Sequence, residues 1–262
     1  MKYEPLKDVL WGLMQVMPCT RKLFYRLLDM LLLRQRYVKR AIKKHAADKR
    51  YLHVYDAGAG YGQYSWHILQ NWNQSRVFAL DLKADYLMDF AGWLEEEMRS
   101  RFSYAQGDLQ VYEPKNQYDM ALAIDILEHI PDDVAVLSRI HSCLKAGGKL
   151  IISTPSDTDE AAKFTAEHVR PGYSMAEIIG KLEKTGFHIV ESYYSYGVWG
   201  SLAWRLSIKY PLMLLAKSKI YILLLPFYYL PVLPFTSLFN WLDTRLKNPS
   251  GTGIILVAQK QG

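Results

Sequence analysis

The sequence predicts an α/β protein: a mostly parallel sheet with helices on both faces, preceded by helices and interrupted before its last strand by a helical insert. Three observations carry this. Short β-rich runs at 52 to 56, 76 to 80, 101 to 105, 118 to 124 and 148 to 154 alternate with helical stretches at 62 to 72, 83 to 98 and 132 to 143, the pattern of parallel strands joined by crossover helices. The first run ends in Asp56-Ala57-Gly58-Ala59-Gly60-Tyr61-Gly62, a glycine-rich turn leading into a helix. The second ends in an acid, Asp81. Ligands of such sheets bind beyond the carboxyl ends of the strands, which is where these residues fall.

Before the first strand, residues 6 to 47 read as two or three helices. If the last is continuous, Leu28, Leu31, Val38 and Ile42 share one face, with Arg36, Arg40, Lys43 and Lys44 opposite, Lys39 at the border and Gln35 interrupting the apolar stripe. After the fifth strand, Ser174 and Glu177 form a capping box for a helix over 174 to 185, followed by a strand from Phe187 to Tyr193. Thr252 to Gln259 reads as a closing, seventh strand. A tight hairpin would join the last two strands, yet about fifty residues intervene.

The glycine register narrows the ligand. A dinucleotide fingerprint reads G-x-G-x-x-G, but here glycines fall at 58, 60 and 62, Gln63 holds the sixth position, and Asp56 precedes the turn. A pyrophosphate prefers bare amides at a helix N-terminus and would be repelled by that carboxylate. Asp56 therefore favours a ligand with a cationic end, and a nicotinamide dehydrogenase is disfavoured. An acid at the tip of the second strand is placed to accept hydrogen bonds from ribose hydroxyls.

With these motifs the chain resembles the class I S-adenosylmethionine-dependent methyltransferases, whose first motif has the form D-x-G-x-G-x-G, and in particular the quinone-biosynthesis type acting on small molecules. The likeness continues through Ala79-Leu80-Asp81-Leu82, Gln106-Gly107-Asp108-Leu109, the run from Tyr118 to Ile130 and Leu144-Lys145-Ala146-Gly147-Gly148. It covers roughly residues 50 to 193 and the last ten. It implies a Rossmann-like seven-stranded sheet with S-adenosylmethionine as cofactor. Asp56, Gly58, Gly60 and Gly62 would hold its methionine end, Asp81 and Leu82 its ribose, and Asp108 and Leu109 its adenine. Asp125 touches either the methionine end or the acceptor.

Methyl transfer is an in-line displacement, so alignment, exclusion of water and removal of an acceptor proton are the enzyme's tasks. No metal is needed in principle. His129, just beyond the fourth strand, is a candidate base, since histidine titrates near neutral pH; contact with an acceptor carboxylate or with its own loop is the alternative. His168 is the second candidate, on the resemblance of its loop to the acceptor-facing segment of related enzymes. Arg170 and Tyr173 in that loop are candidates for an acidic acceptor group. Tyr194 and Trp199, in an aromatic cluster with Tyr193, Tyr196 and Trp204, line an acceptor pocket or else form core.

Composition bounds the rest. At 262 residues the chain fits one large α/β domain with an elaboration. The expected divisions are 1–50 (basic helices), 51–196 with 252–262 (cofactor domain) and 197–251 (insert). Cys19 and Cys143 lack metal-ligand spacing, and no secretory signal is read ahead of Met17, so a cytoplasmic setting is expected. Thirteen basic residues meet four acidic ones in residues 1 to 50, twelve meet twenty-one in 51 to 196, and six meet one in 197 to 249.

Residues 220 to 242 carry no charge, and Pro226, Pro231 and Pro234 argue against one straight helix there. Basic flanks beside an apolar insert fit a helix lying at an anionic membrane surface, with the protein peripheral at its inner face, or a lid over a greasy acceptor. Core completion or a dimer contact is the alternative, which leaves an oligomer open. The expected acceptor is a hydrophobic small molecule: a lipid, quinone precursor or aromatic polyene. A cofactor-binding scaffold without turnover is a second reading. Nucleic acid fits the apolar insert poorly.

Overall fold

The computed structural model describes residues 20–46, 50–158 and 169–261. Seven strands form one sheet: β1 (Leu52–Ala57), β2 (Ser75–Asp81), β3 (Phe102–Gln106), β4 (Tyr118–Ile124), β5 (Leu144–Pro155), β6 (Phe187–Ser195) and β7 (Gly253–Lys260). Their order is β3-β2-β1-β4-β5-β7-β6, parallel except for β7, which runs antiparallel to both β5 and β6. The expected Rossmann-like sheet is present.

Helices cover both faces, and the central strands are accordingly apolar on both sides. On one face lie α1 (Thr20–Leu31), α2 (Leu33–Ala46), α3 (Gln63–Asn71) and α4 (Ala84–Trp93). They bury Tyr25, Val38, Ile42, Ile68 and Phe90 against Val54, Val77 and Ile255. The stretch expected as one helix over 83 to 98 divides at buried, extended Leu94, leaving a one-turn α5 (Glu96–Arg99). On the other face, α6 (Asp133–Cys143) and α7 (Met175–Lys184) bury Leu137, Ile140, Ile178 and Leu182 against Ala121, Leu150 and Leu256. Ser174 caps α7, accepting from the Glu177 amide at 3.1 Å.

The insert leaves and rejoins the sheet at one rim. Gly253 pairs with both Pro155 and Ser195, so the end of β6 and the start of β7 stand beside the carboxyl end of β5. Between them run α8 (Val198–Trp204), a π turn at Arg205–Lys209, α9 (Tyr210–Lys217), a 3-10 turn at Lys219–Leu224 and α10 (Leu225–Arg245). Residues 220 to 242, where the prolines argue against one straight helix, fall in the 3-10 turn and α10, and α10 holds Pro226 in its first turn and Pro231 and Pro234 inside. Pro226 sits where an amide has no intrahelical partner. Pro231 and Pro234 are exposed, so the carbonyls deprived of donors lie toward the outside.

The polarity of α10 is inverted. Thr236, Asn240 and Asp243, at helical spacing, are buried, whereas Phe227 and Leu230 are 75% and 78% exposed and Leu238 and Trp241 about half. The buried stripe anchors the insert. Asp243 accepts from Tyr37 Oη at 2.8 Å, the Gly200 amide at 2.9 Å and Asn248 Nδ2 at 3.1 Å, joining α10 to α2 and α8. At Gly200 a Cβ would stand 2.4 Å from Leu33 Cδ2, so only glycine permits this approach.

Asp243→Ala takes the carboxylate from Tyr37, Asn248 and the Gly200 amide, although Tyr37 keeps the residue 243 carbonyl at 2.7 Å and Asn248 the Tyr194 carbonyl at 3.1 Å, and should lower the unfolding free energy by about 1–3 kcal/mol. Denaturant unfolding and the rate of proteolysis within the insert measure this. A change below about 0.5 kcal/mol, the level of an ordinary surface substitution, would show that Asp243 is no anchor.

Candidate functional site

Connections depart from β1 toward β2 on one side and toward β4 on the other, so a crevice opens at the carboxyl ends of β1 and β4. The turn after β1 is shaped for close approach. Gly58, Gly60 and Gly62 all have positive φ, 75°, 52° and 74°. A Cβ at Gly58 would stand 2.7 Å from Ile126 Cγ1, and one at Gly62 2.8 Å from the Phe90 ring. The amide of Gly58 donates to the Leu80 carbonyl at 2.8 Å. Gly60 donates to Asp81 Oδ2 at 2.8 Å and Lys83 to Asp81 Oδ1 at 2.9 Å. Asp81 thereby ties the turn to the end of β2 while each oxygen keeps a further acceptor site.

Asp56, at the head of the turn, is buried, and its Oδ2 accepts the Ser65 hydroxyl at 2.6 Å. Burial pushes its carboxyl up to about 6, with the Asp81 charge adding to the rise and Ser65 opposing it. Past β3, Asp108 Oδ1 accepts the Gln110 amide at 2.9 Å, Leu109 is buried and Leu82 is 65% exposed at the rim.

The end of β4 gathers charge. Asp125 has positive φ, 50°, and its Oδ1 accepts the Ser153 hydroxyl at 2.8 Å. Its Oδ2 pairs with Arg34, which reaches in from the first turn of α2. The amide of Arg34 donates to Tyr196 Oη at 3.3 Å, and its guanidinium also acts on Tyr64 and Glu128. Glu128 is buried, accepting the Thr154 hydroxyl at 3.1 Å. Burial pushes its carboxyl up to about 7, against the pull of Thr154, Arg34 and Arg170. A carboxyl titrating near neutrality can exchange a proton at working pH.

The other candidates divide. His129 closes the 3-10 turn Leu127–His129 at this rim, partly buried. His168 lies outside the described residues. Arg170 and Tyr173 take the structural alternative: Tyr173 is fully buried and donates to Asp133 Oδ2 at 2.6 Å, while Arg170 pairs with the same carboxylate and Lys181 donates to it at 2.7 Å. The aromatic cluster also disperses, because successive residues of a strand face opposite sides. Tyr193 packs 5.6 Å from Tyr37 on one face, and Tyr194 joins the other core. Trp199 stacks on Phe239 of α10 at 5.5 Å, so it holds the insert together.

Arg34 and Glu128 are the site residues that sequence reasoning passed over. Arg34 sits in a basic helix where every cation looks solvated. Glu128 was visible beside His129, but only burial singles it out.

The turn, the acid at the tip of β2 and the charged end of β4 define a class I S-adenosylmethionine-dependent methyltransferase domain, and the chain carries one. Residues 55–150 match the family described as a methyltransferase domain. Phosphoethanolamine N-methyltransferase 2 of Caenorhabditis elegans is 29% identical over 143 residues, covering 52% of this chain and 32% of that protein. A ubiquinone biosynthesis O-methyltransferase of Rickettsia bellii is 25% identical over 130 residues, covering 49% and 52%. The chain thus spans from about one-third to about half the length of these relatives.

Among solved structures, phosphoethanolamine N-methyltransferase 2 of Haemonchus contortus in complex with S-adenosyl-L-methionine shares the fold at TM-score 0.59 and 19% identity, over 86% of this chain and 52% of that one. The [4+2]-cyclase SpnF does so at TM-score 0.61 and 15% identity, over 86% and 80%.

The residues fit S-adenosylmethionine. The glycine cradle leaves no side chain between turn and ligand, Asp81 retains acceptor capacity for ribose hydroxyls, and Arg34 brings a cation toward a carboxylate. When bound, the cofactor supplies an electrophilic methyl on sulfur.

Asp81→Ala removes charge-assisted acceptors and should weaken cofactor binding by about 10- to 100-fold, read by calorimetry, with the fold retained; unchanged affinity would remove Asp81 from the site. Glu128 gives a second prediction. Its folded carboxyl stays protonated up to about 7, against 4.5 ordinarily, so the folded chain holds an extra proton between those pH values. Stability present at pH 4.5 is therefore lost as pH rises through 7, by roughly 3 kcal/mol. Asp56 adds a loss of the same sign up to about 6. Glu128→Gln should make the decline shallower in denaturant unfolding at stepped pH, and an unaltered slope would contradict the assignment.

Proposed function

We propose that the protein transfers the methyl group of S-adenosylmethionine to a hydrophobic small molecule, of lipid, quinone-precursor or aromatic-polyene type, taken up at a membrane surface. The insert is the observation that carries this reading. It enters at the rim beyond β5 and β6, turns its apolar stripe outward and keeps its polar stripe against α2 and α8. The stretch Ile220–Arg245 is long and apolar enough to cross a membrane, and little of it is buried. Three properties favour lying in the interface over crossing. Its polar stripe is bound to the domain, its prolines leave carbonyls that need water or headgroups, and basic residues flank it. The acceptor class also draws support from the Rickettsia bellii relative, named for ubiquinone biosynthesis.

In this reading the acceptor slides from the bilayer along α10 to the β4–β5 rim. There Glu128 or His129 takes its proton, with His168 a third candidate base. The protein is cytoplasmic and peripheral at the inner face. A cofactor-holding protein without methyl transfer is the second reading, favoured by the shared fold of a structure named as a [4+2]-cyclase.

Incubation with methyl-labelled cofactor and a cell lipid extract should place label in an organic-soluble product. Bound cofactor with label in no lipid would favour the second reading. Labelling that persists undiminished in His129→Ala would leave Glu128 as the base at this rim.

A further inference from the structure

The outward stripe of α10 runs into a cationic cleft. Where α2 meets the last turn of α10, Arg36, Arg40, Trp241, Thr244 and Arg245 line a cavity of about 350 Å³. Its cations exceed what the helix end requires. Arg40 Nη1 donates to the Thr244 carbonyl at 2.7 Å, which satisfies one terminal carbonyl of α10. Arg36 and Arg245 are not needed for that. The Arg245 guanidinium lies 5.8 Å from the Trp241 ring centroid, and Arg36 feels the charge of Asp29, a carboxylate already paired with Lys39. Three guanidiniums thus surround a cavity at one end of an exposed apolar stripe.

We propose that this cleft binds the phosphodiester headgroup of an anionic membrane lipid, with Arg36 and Arg245 as its cationic walls. The proposal rests on the membrane reading above and names the lipid class that reading leaves open. Guanidinium forks match phosphate oxygens two at a time. Trp241 stands where tryptophan is favoured, between headgroups and acyl chains. Leu230, Pro234, Leu238 and Trp241 lie on the same exposed side, so lipid tails laid along that stripe bring their phosphate to the arginines. A free phosphate ion shares the chemistry but makes no use of the stripe.

The test is flotation of the full chain with vesicles of phosphatidylcholine alone or mixed with phosphatidylglycerol. Wild type should bind both and prefer the mixture. The double variant Arg36→Gln, Arg245→Gln leaves Arg40 on its carbonyl and should bind the mixed vesicles about thirtyfold more weakly, keeping its binding to phosphatidylcholine. The control Arg76→Gln, Lys115→Gln removes the same charge from exposed positions of the cofactor domain and should change binding by less than about threefold. Equal loss in both double variants, or no preference for phosphatidylglycerol, overturns the site while leaving the membrane reading intact. Binding to neither vesicle overturns both. Saturable calorimetric binding of inorganic phosphate, lost in the arginine variant without any vesicle preference, reassigns the cleft to free phosphate.

Discussion

A single buried carboxylate ties the insert to the helix that precedes the sheet. Asp243 has no exposure, and it collects donors from α2, α8 and the turn after α10. A buried charge without such partners would cost several kcal/mol, so the three donors and the carboxylate stabilise one another or not at all. Because Tyr37 belongs to α2, the same contact fixes the helix whose first turn sends Arg34 to Asp125. The insert, the N-terminal helix and the charged end of β4 are therefore parts of one arrangement.

That arrangement explains the segregation of charge. The cofactor domain is acidic, with Asp56, Asp81, Asp108, Asp125 and Glu128 all near one end of the sheet; burial raises the carboxyls of Asp56 and Glu128, the Asp81 charge adding to the rise at Asp56 while Arg34 and Arg170 oppose it at Glu128. Arg34 brings a cation from outside the domain into this region. Arg36 and Arg40 of α2 instead stand beside the end of α10, while Lys39 pairs with Asp29 of α1 and Lys44 with Glu191 of β6. Polar groups inward and apolar groups outward is the reverse of a helix made for water, and an exposed apolar face of this kind marks an interaction surface.

Much of the fold was legible because its signals are local. Alternating runs, a glycine turn and Ser174 as a cap each depend on residues close in sequence, and the strands formed within a residue or two of their expected bounds, apart from the earlier start of β5. The site was legible where backbone decides it, as at Gly58 and Gly62. It stayed open where a side chain's meaning depends on burial: Asp56 faces Ser65, Tyr173 and Arg170 serve Asp133, and Trp199 stacks on Phe239. It was missed at Arg34, whose partner Asp125 lies far along the chain. How α10 accommodates its prolines was not legible, because the side on which a proline leaves its unpaired carbonyl is a tertiary fact.

In the reaction proposed above two separate surfaces act, the glycine turn for the donor and the outward side of α10 for the lipid phase. Amide hydrogen exchange on the full chain, with cofactor alone and with vesicles alone, tests this directly. Cofactor should protect residues 57–65 and the end of β2, while vesicles should protect 225–245 and leave the turn unaffected. Protection of 225–245 already complete in the free protein, or a turn indifferent to cofactor, would contradict it.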